Sequence, residues 1–319
     1  MTDPFDTPGQ AAEDIQRDRF GRPLVVPPEG GRPVAYTRCT TYVDVLEDKF
    51  NLSRWQQRMV AIGMADRPDL VLAAGAHRDD RGELNRIVDQ AMDAAQAHAA
   101  AGVGTSLHKL TEQLDRGQIP GPVPEAYRAD LDAYAAATAK LEIVGIERFS
   151  VLDELKIGGT HDRTVRYQGR DYIADIKTGS VEFGALKIAM QLAVYSRSVL
   201  YDPATRERTP LEVDQDRAIV IHLPAGQGRC ELHWVDIAAG WEAVQVATQV
   251  RQWRKRRGLL TPLTDVSAEI AAEIAAASTV DELTAVWVRH QAAWTDDLTA
   301  LAAARIARGT KAAPATPSA

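Results

Sequence analysis

Arg170-Asp171-Tyr172-Ile173-Ala174-Asp175-Ile176-Lys177-Thr178-Gly179 is the stretch whose reading decides the fold. Its aromatic and β-branched residues favour a strand. Side chains alternate across a strand, so Asp175 and Lys177 share one face and Ile176 takes the other. Upstream, KIGGTHDRTVRY (156–167) has the same character, and Tyr167-Gln168-Gly169-Arg170 is a tight connection, which predicts a hairpin. VGIERFSVL (144–152) reads as the strand before it. Downstream, the pattern predicts a helix over about 184–201, then strands RAIVIHLP and RCELHWVDI around Ala225-Gly226-Gln227-Gly228, and a helix after Asp236. A mixed sheet with an inserted helix is α/β or α+β, not a repeating βαβ barrel.

Outward from this sheet the chain reads as helical. Thr40 to about Gln118 carries helical periodicity, with an Ala-rich helix over about 83–100. GVGTSLHKLTEQLDRG (102–117) reads as a glycine-containing turn followed by a helix, and 125–141 as another. Residues 1–34, rich in Pro, Gly and Asp, read as a flexible leader. The expected organisation is a main domain over 35–260, mainly helical to 142 and sheet-bearing from 143. A helical hairpin over 265–308 follows, with Thr279 as a cap and Trp287 and Trp294 on one helix face, then a disordered tail over 309–319.

Bulk properties narrow the function classes. The 319 residues are 45% hydrophobic and 25% charged, without an apolar run long enough to span a membrane. The polar, acidic start lacks a secretory pattern, so the expected location is the cytoplasm. A net charge of −7 argues against coating nucleic acid through bulk charge, though not against a local basic groove. Cys39 and Cys230 are too few for a zinc knuckle or an iron–sulfur cluster, so any metal needs oxygen and imidazole ligands. No nucleotide-cofactor motif is evident.

The Asp175/Lys177 pair alone is common: Glu47-Asp48-Lys49 and Glu154-Leu155-Lys156 have the same spacing. Three neighbours strengthen it. Asp162 lies on the facing strand of the hairpin, where cross-strand pairing brings two carboxylates to one cation. His108 opens a helix from which imidazole completes a metal shell or meets phosphate. Gln191 and Tyr195, four residues apart on a helix, are placed to hold substrate or orient Lys177. Glu154 is either a further ligand or a strand cap. His161 should point away from the metal face, and His222 and His233 read as surface or satisfied core histidines. The run Arg251-Gln252-Trp253-Arg254-Lys255-Arg256-Arg257 is either a DNA platform, with Trp253 stacking and Arg254 and Arg256 meeting phosphates, or the solvated end of a helix.

The ordered set GxxxH, GGxxDR, DxK followed by Thr-Gly, and QxxxY, spanning residues 104–195, resembles the RecB-like exonuclease branch of the PD-(D/E)XK nuclease superfamily. The resemblance implies a restriction-endonuclease-like central mixed sheet flanked by helices, extending over about 36–257. It implies Mg²⁺ or Mn²⁺ held by His108, Asp162, Asp175 and the Ile176 carbonyl, with Lys177 as catalytic base or water-positioner, and Gln191, Tyr195 and Arg163 on the substrate side. It is closer to cluster-free relatives, including phage-encoded ones, than to those with four cysteines. The implied activity is DNA exonuclease in recombination, repair or replication, working on single strands or duplex ends. An endonuclease of the same fold and a non-catalytic DNA-binding protein are the alternatives, and a recombination or replication protein is the expected partner of the C-terminal helices.

Overall fold

The computed structural model describes residues 15–97, 99–260 and 265–309. The chain divides into two units after Arg254. The first opens with β1 (Leu24–Val25) and β2 (Val34–Ala35), paired antiparallel, then β3 (Thr37–Arg38). Six helices follow: α1 (Cys39–Val43), α2 (Phe50–Asp66), α3 (Pro68–Ala76), α4 (Arg81–Ala94), α5 (Ala99–Asp115) and α6 (Arg128–Thr138). Then come β4 (Glu142–Leu152), β5 (Ile157–Tyr167), β6 (Arg170–Lys177), α7 (Ala185–Ser196), β7 (Val199–Tyr201), β8 (Arg208–Pro210), β9 (Arg217–His222), β10 (Glu231–Asp236) and α8 (Ile237–Trp253).

Eight strands form a mixed sheet in the order β10-β9-β6-β5-β4-β7-β8, with β3 parallel to the start of β5. The β5–β6 hairpin closes where expected, with Tyr167 opposite Arg170 and both Gln168 and Gly169 at positive φ. That backbone matches the strand twist and suits a glycine. β6 is central, antiparallel to β5 and parallel to β9, which explains its nearly continuous burial. Its odd face carries Ile173 into a core with Ile188, Leu192, Val244 and Ala247 of α7 and α8; its even face carries Ala174 and Ile176 into a core with Tyr134 of α6. α7 is buried almost all round, and each of its buried aliphatic side chains contributes about 1.5–3 kcal/mol. Asp130, itself buried on α6, accepts from Gly226 and Gly228 N–H at 2.6 and 2.7 Å, tying that helix to the β9–β10 turn.

Several expectations change. Of the leader, residues 15–34 are packed structure: Ile15 and Val25 are buried with Tyr36, Phe149, Val151 and Tyr201, and Arg208 donates to the Val26 carbonyl at 2.8 Å. Except for Tyr36, these partners are distant in sequence, so local composition did not show them. Residues 1–14 and 310–319, the rest of the leader and nearly all of the tail, lie outside the described residues. The Ala-rich helix stops at Ala94, where Gln96 takes positive φ. The Gly102–Gly104 segment is helix, not turn, and Val199–Tyr201 is a strand pairing β4 and β8.

The second unit contains α9 (Val266–Ala276), α10 (Val280–His290) and α11 (Asp296–Ala307), three helices in place of a hairpin. Thr279 caps α10 as expected, and Thr295 adds a second break by capping α11. Trp294 therefore stands outside the helix of Trp287; its Nε1 donates to Thr299 at 2.9 Å while its ring packs on the Ile270–Leu298 core.

Candidate metal and catalytic site

The hairpin register, continued one step beyond Arg163 opposite Ala174, brings Asp162 beside Asp175. On the other side of β5, pairs flanking the position set Glu147 of β4 against Asp162. Three carboxylates thus lie in line across β4, β5 and β6. Burial, and then the charge of Asp162, pushes Glu147 up to about 7, against the pull of Arg163. The same two causes raise Asp175, which is 2% exposed, against the opposing charge of Lys177. Like charges are crowded where water cannot dilute them.

Each acid is aimed by its backbone. Asp162 Oδ2 accepts the Ile176 N–H at 2.9 Å. Lys177 Nζ lies 2.6 Å from Asp175 Oδ2, an ionic contact outside hydrogen-bond alignment. Glu147 takes φ +49°, a left-handed conformation uncommon for a side chain of its size, in a strand that also bulges between Ile143 and Gly145. This broken alternation is why sequence reading missed it: with the period interrupted, its face cannot be deduced from its neighbours.

α5 delivers His108. Its Nδ1 is 3.5 Å from Asp162 Oδ2; burial lowers its pKa while Asp162 opposes the shift. The approach depends on Gly104, one turn earlier, because a Cβ there would sit 2.7 Å from Thr178 Oγ1. Glycine four residues before His108 and threonine after Lys177 are therefore two sides of one contact. Gly159 has a matching role: a Cβ would lie 2.7 Å from the Tyr195 hydroxyl. Tyr195 is buried beneath β5, the Cys39 thiol donates to the Gln191 carbonyl at 3.8 Å, and Gln191 Nε2 reaches Asp175 Oδ1 at 3.5 Å.

One ligand atom from each of His108, Glu147 and Asp162 lies within 4.8 Å of the other two. The hard oxygen-rich donors and the crowding of three carboxylates fit a divalent cation. Asp175 stands next to this trio, with one oxygen committed to Lys177.

Other candidates fall elsewhere. Arg163 is 0% exposed and cannot touch substrate: its Nε binds Asp115 Oδ2 at 2.6 Å, its Nη1 the Asp162 carbonyl at 2.8 Å, and Tyr134 donates to the same Asp115 oxygen at 2.7 Å. Tyr195 likewise lacks the exposure for a substrate contact and supports the site from behind. Glu154 is exposed in a single 3-10 turn, outside the metal-spaced groups among the described residues. His161 is buried away from the acids, with Nε2 3.0 Å from Thr164 Oγ1, and burial pushes it down to about 3. The basic run straddles the unit boundary: exposed Trp253 and Arg254 close the first unit, with Arg254 donating to the Val45 carbonyl at 3.5 Å, while exposed Arg256 belongs to the second.

No known protein-family model matches the chain, and comparison with curated proteins finds no match either. No helix among the described residues is long and apolar enough to cross a membrane.

Proposed function

We propose that this chain is a metal-dependent deoxyribonuclease of the PD-(D/E)XK type, acting as an exonuclease in DNA recombination, repair or replication. The observation that carries the reading is the buried line Glu147–Asp162–Asp175 flanked by His108 and Lys177. The choice of DNA comes from the motif set, in which GxxxH, GGxxDR, DxK and QxxxY converge on one place.

His108, Glu147 and Asp162 would hold Mg²⁺ or Mn²⁺, bordered by Asp175 and the Ile176 carbonyl. The bound cation supplies Lewis-acid polarisation of the phosphate and neutralises charge developing on its oxygens. Asp175 keeps the Lys177 ammonium directed into the site, and Gln191 steadies the other oxygen of that carboxylate. Lys177 orients the attacking water and stabilises the non-bridging phosphate oxygens. Arg163 supplies a fixed positive charge behind the acids, 3.7 Å from Glu147 Oε1, and takes no part in proton transfer.

Digestion of end-labelled linear and covalently closed circular DNA, with Mg²⁺, Mn²⁺ or EDTA, tests the proposal against Asp175→Ala and Lys177→Ala. Metal-dependent loss of linear DNA only, absent from both variants, supports an exonuclease. Cutting of circles makes it an endonuclease, and binding without cleavage under every metal condition makes it a DNA-binding protein that lacks turnover.

A further inference from the structure

β9 and β10 carry three side chains that the hydrolytic reading does not use. His222 registers opposite Glu231, and His233 is two residues farther along β10, so all three occupy one face. One ligand atom from each lies within 4.8 Å of the others. His233 Nε2 is 3.4 Å from Glu231 Oε2, and the two imidazole centroids are 6.0 Å apart. A tetrahedral zinc shell with bonds near 2.0–2.1 Å needs ligand separations of about 3.3 Å.

A histidine–glutamate ion pair on an exposed strand is the plain explanation, but it leaves the surroundings of both residues unaccounted for. His222, mostly buried, has Nε2 3.0 Å from the Gly179 carbonyl. A carbonyl only accepts, so Nε2–H donates to it, which leaves Nδ1 as the nitrogen available to a cation. Glu231 uses Oε1 for Arg229 Nη1 at 3.2 Å, leaving Oε2 for another partner. A backbone carbonyl behind a histidine and a cation behind a carboxylate are the outer contacts that orient metal ligands.

We infer that His222, Glu231 and His233 form a second metal site, with two nitrogens and one oxygen, for a divalent transition cation of the zinc class. Two imidazoles distinguish it from the oxygen-rich site at Asp162. His222 registers against Lys177 across β6 and β9, and Gly179 lies in the turn just after Lys177. A cation here therefore cross-links β9 and β10 and braces the end of the strand that carries the lysine. This inference stands whether or not the chain cuts DNA.

The test uses the tag-free full-length chain carrying His108→Ala and Asp162→Ala, so that the first site cannot report. Zn²⁺ binding is measured by calorimetry, and Co²⁺ by the visible absorption of its tetrahedral complex. One equivalent of Zn²⁺ and a Co²⁺ band are expected. Adding His233→Ala should weaken binding more than about 100-fold and remove the band; Glu231→Gln, on another exposed residue, should weaken it less. Both residues are exposed, and matching thermal melts confirm that the fold is retained. Absence of one-equivalent binding in the starting variant, or binding that His233→Ala leaves unchanged, overturns the inference.

Discussion

Asp162 and Arg163 are consecutive on β5, point to opposite faces of the sheet and sit in opposite kinds of electrostatic surroundings. Arg163 meets Asp115, which is also held by Tyr134, so its burial is balanced by complementary charge and hydrogen bonds. Asp162 meets Glu147 and Asp175, two more acids, and the line is offset only in part, by Lys177 at Asp175 and by Arg163 3.7 Å from Glu147 Oε1. Burying a paired charge is compatible with architecture alone; crowding like charges destabilises the empty fold and is kept where chemistry requires it. On the proposed function, the difference separates a structural network from a working one within two residues.

The largest expected effect tests the working side. Asp162→Asn keeps an acceptor for the Ile176 N–H but removes the charge, and should lower kcat/KM for DNA hydrolysis by about 10⁴-fold or more, roughly 5 kcal/mol of transition-state stabilisation. In EDTA the same variant should melt no lower than the wild type, since repulsion is relieved. An active Asp162→Asn enzyme would erase the contrast.

Arg163→Met tests the structural side. It leaves Asp115 buried without its cation, and urea unfolding should show a loss of about 3–5 kcal/mol. Adding Asp115→Asn should recover part of it. Unchanged stability would mean that the Arg163 network is as dispensable to the fold as the acidic line.

A smaller effect sharpens the comparison through pH. Glu147 has its folded pKa raised from 4.5 to about 7, so its contribution is fully present below 4.5 and is lost as pH rises through 7. Because the side chain is about one-third exposed, the loss is on the order of 1–2 kcal/mol after screening. In EDTA, Glu147→Gln should therefore gain on the wild type in melting temperature between pH 5 and pH 8; parallel curves would show that Glu147 is not under strain from Asp162. The smallest effect belongs to a solvated charge: Arg254→Ala should change DNA affinity a few-fold and reduce the salt slope by about 1. An unaltered slope removes Arg254 from the binding surface.

Much of this was legible because it is local. Alternation placed Asp175 with Lys177, and the Tyr167–Arg170 connection fixed the register that brings Asp162 opposite. Motif spacing located His108 and Gln191, while the reason for the glycines was hidden: Gly104 against Thr178 and Gly159 against Tyr195 are close approaches between segments remote in sequence. Glu147 was missed because a bulge and a positive φ break the period on which strand reading depends. Arg163 was assigned to substrate because a motif records that a residue is present, not which way it faces. The packed segment over 15–34 was lost for the opposite reason to Asp175: beside its local pairing with Val34 and Tyr36, the partners that bury it, from Phe149 to Arg208, arrive from more than a hundred residues away.

The two-residue turn at Gln168 and Gly169 also has a kinetic consequence. Hairpins close on a scale of about 1–10 μs, whereas contacts across long sequence separations form more slowly. Asp162 and Asp175 are joined by that hairpin and Glu147 by the equally local β4–β5 pairing, while His108 reaches them from α5 across a longer stretch of chain. Local pairing favours an early meeting of the acids, and their repulsion opposes closure of the hairpins that join them. A divalent cation held between these carboxylates would offset the same repulsion while the chain folds as well as in the folded protein.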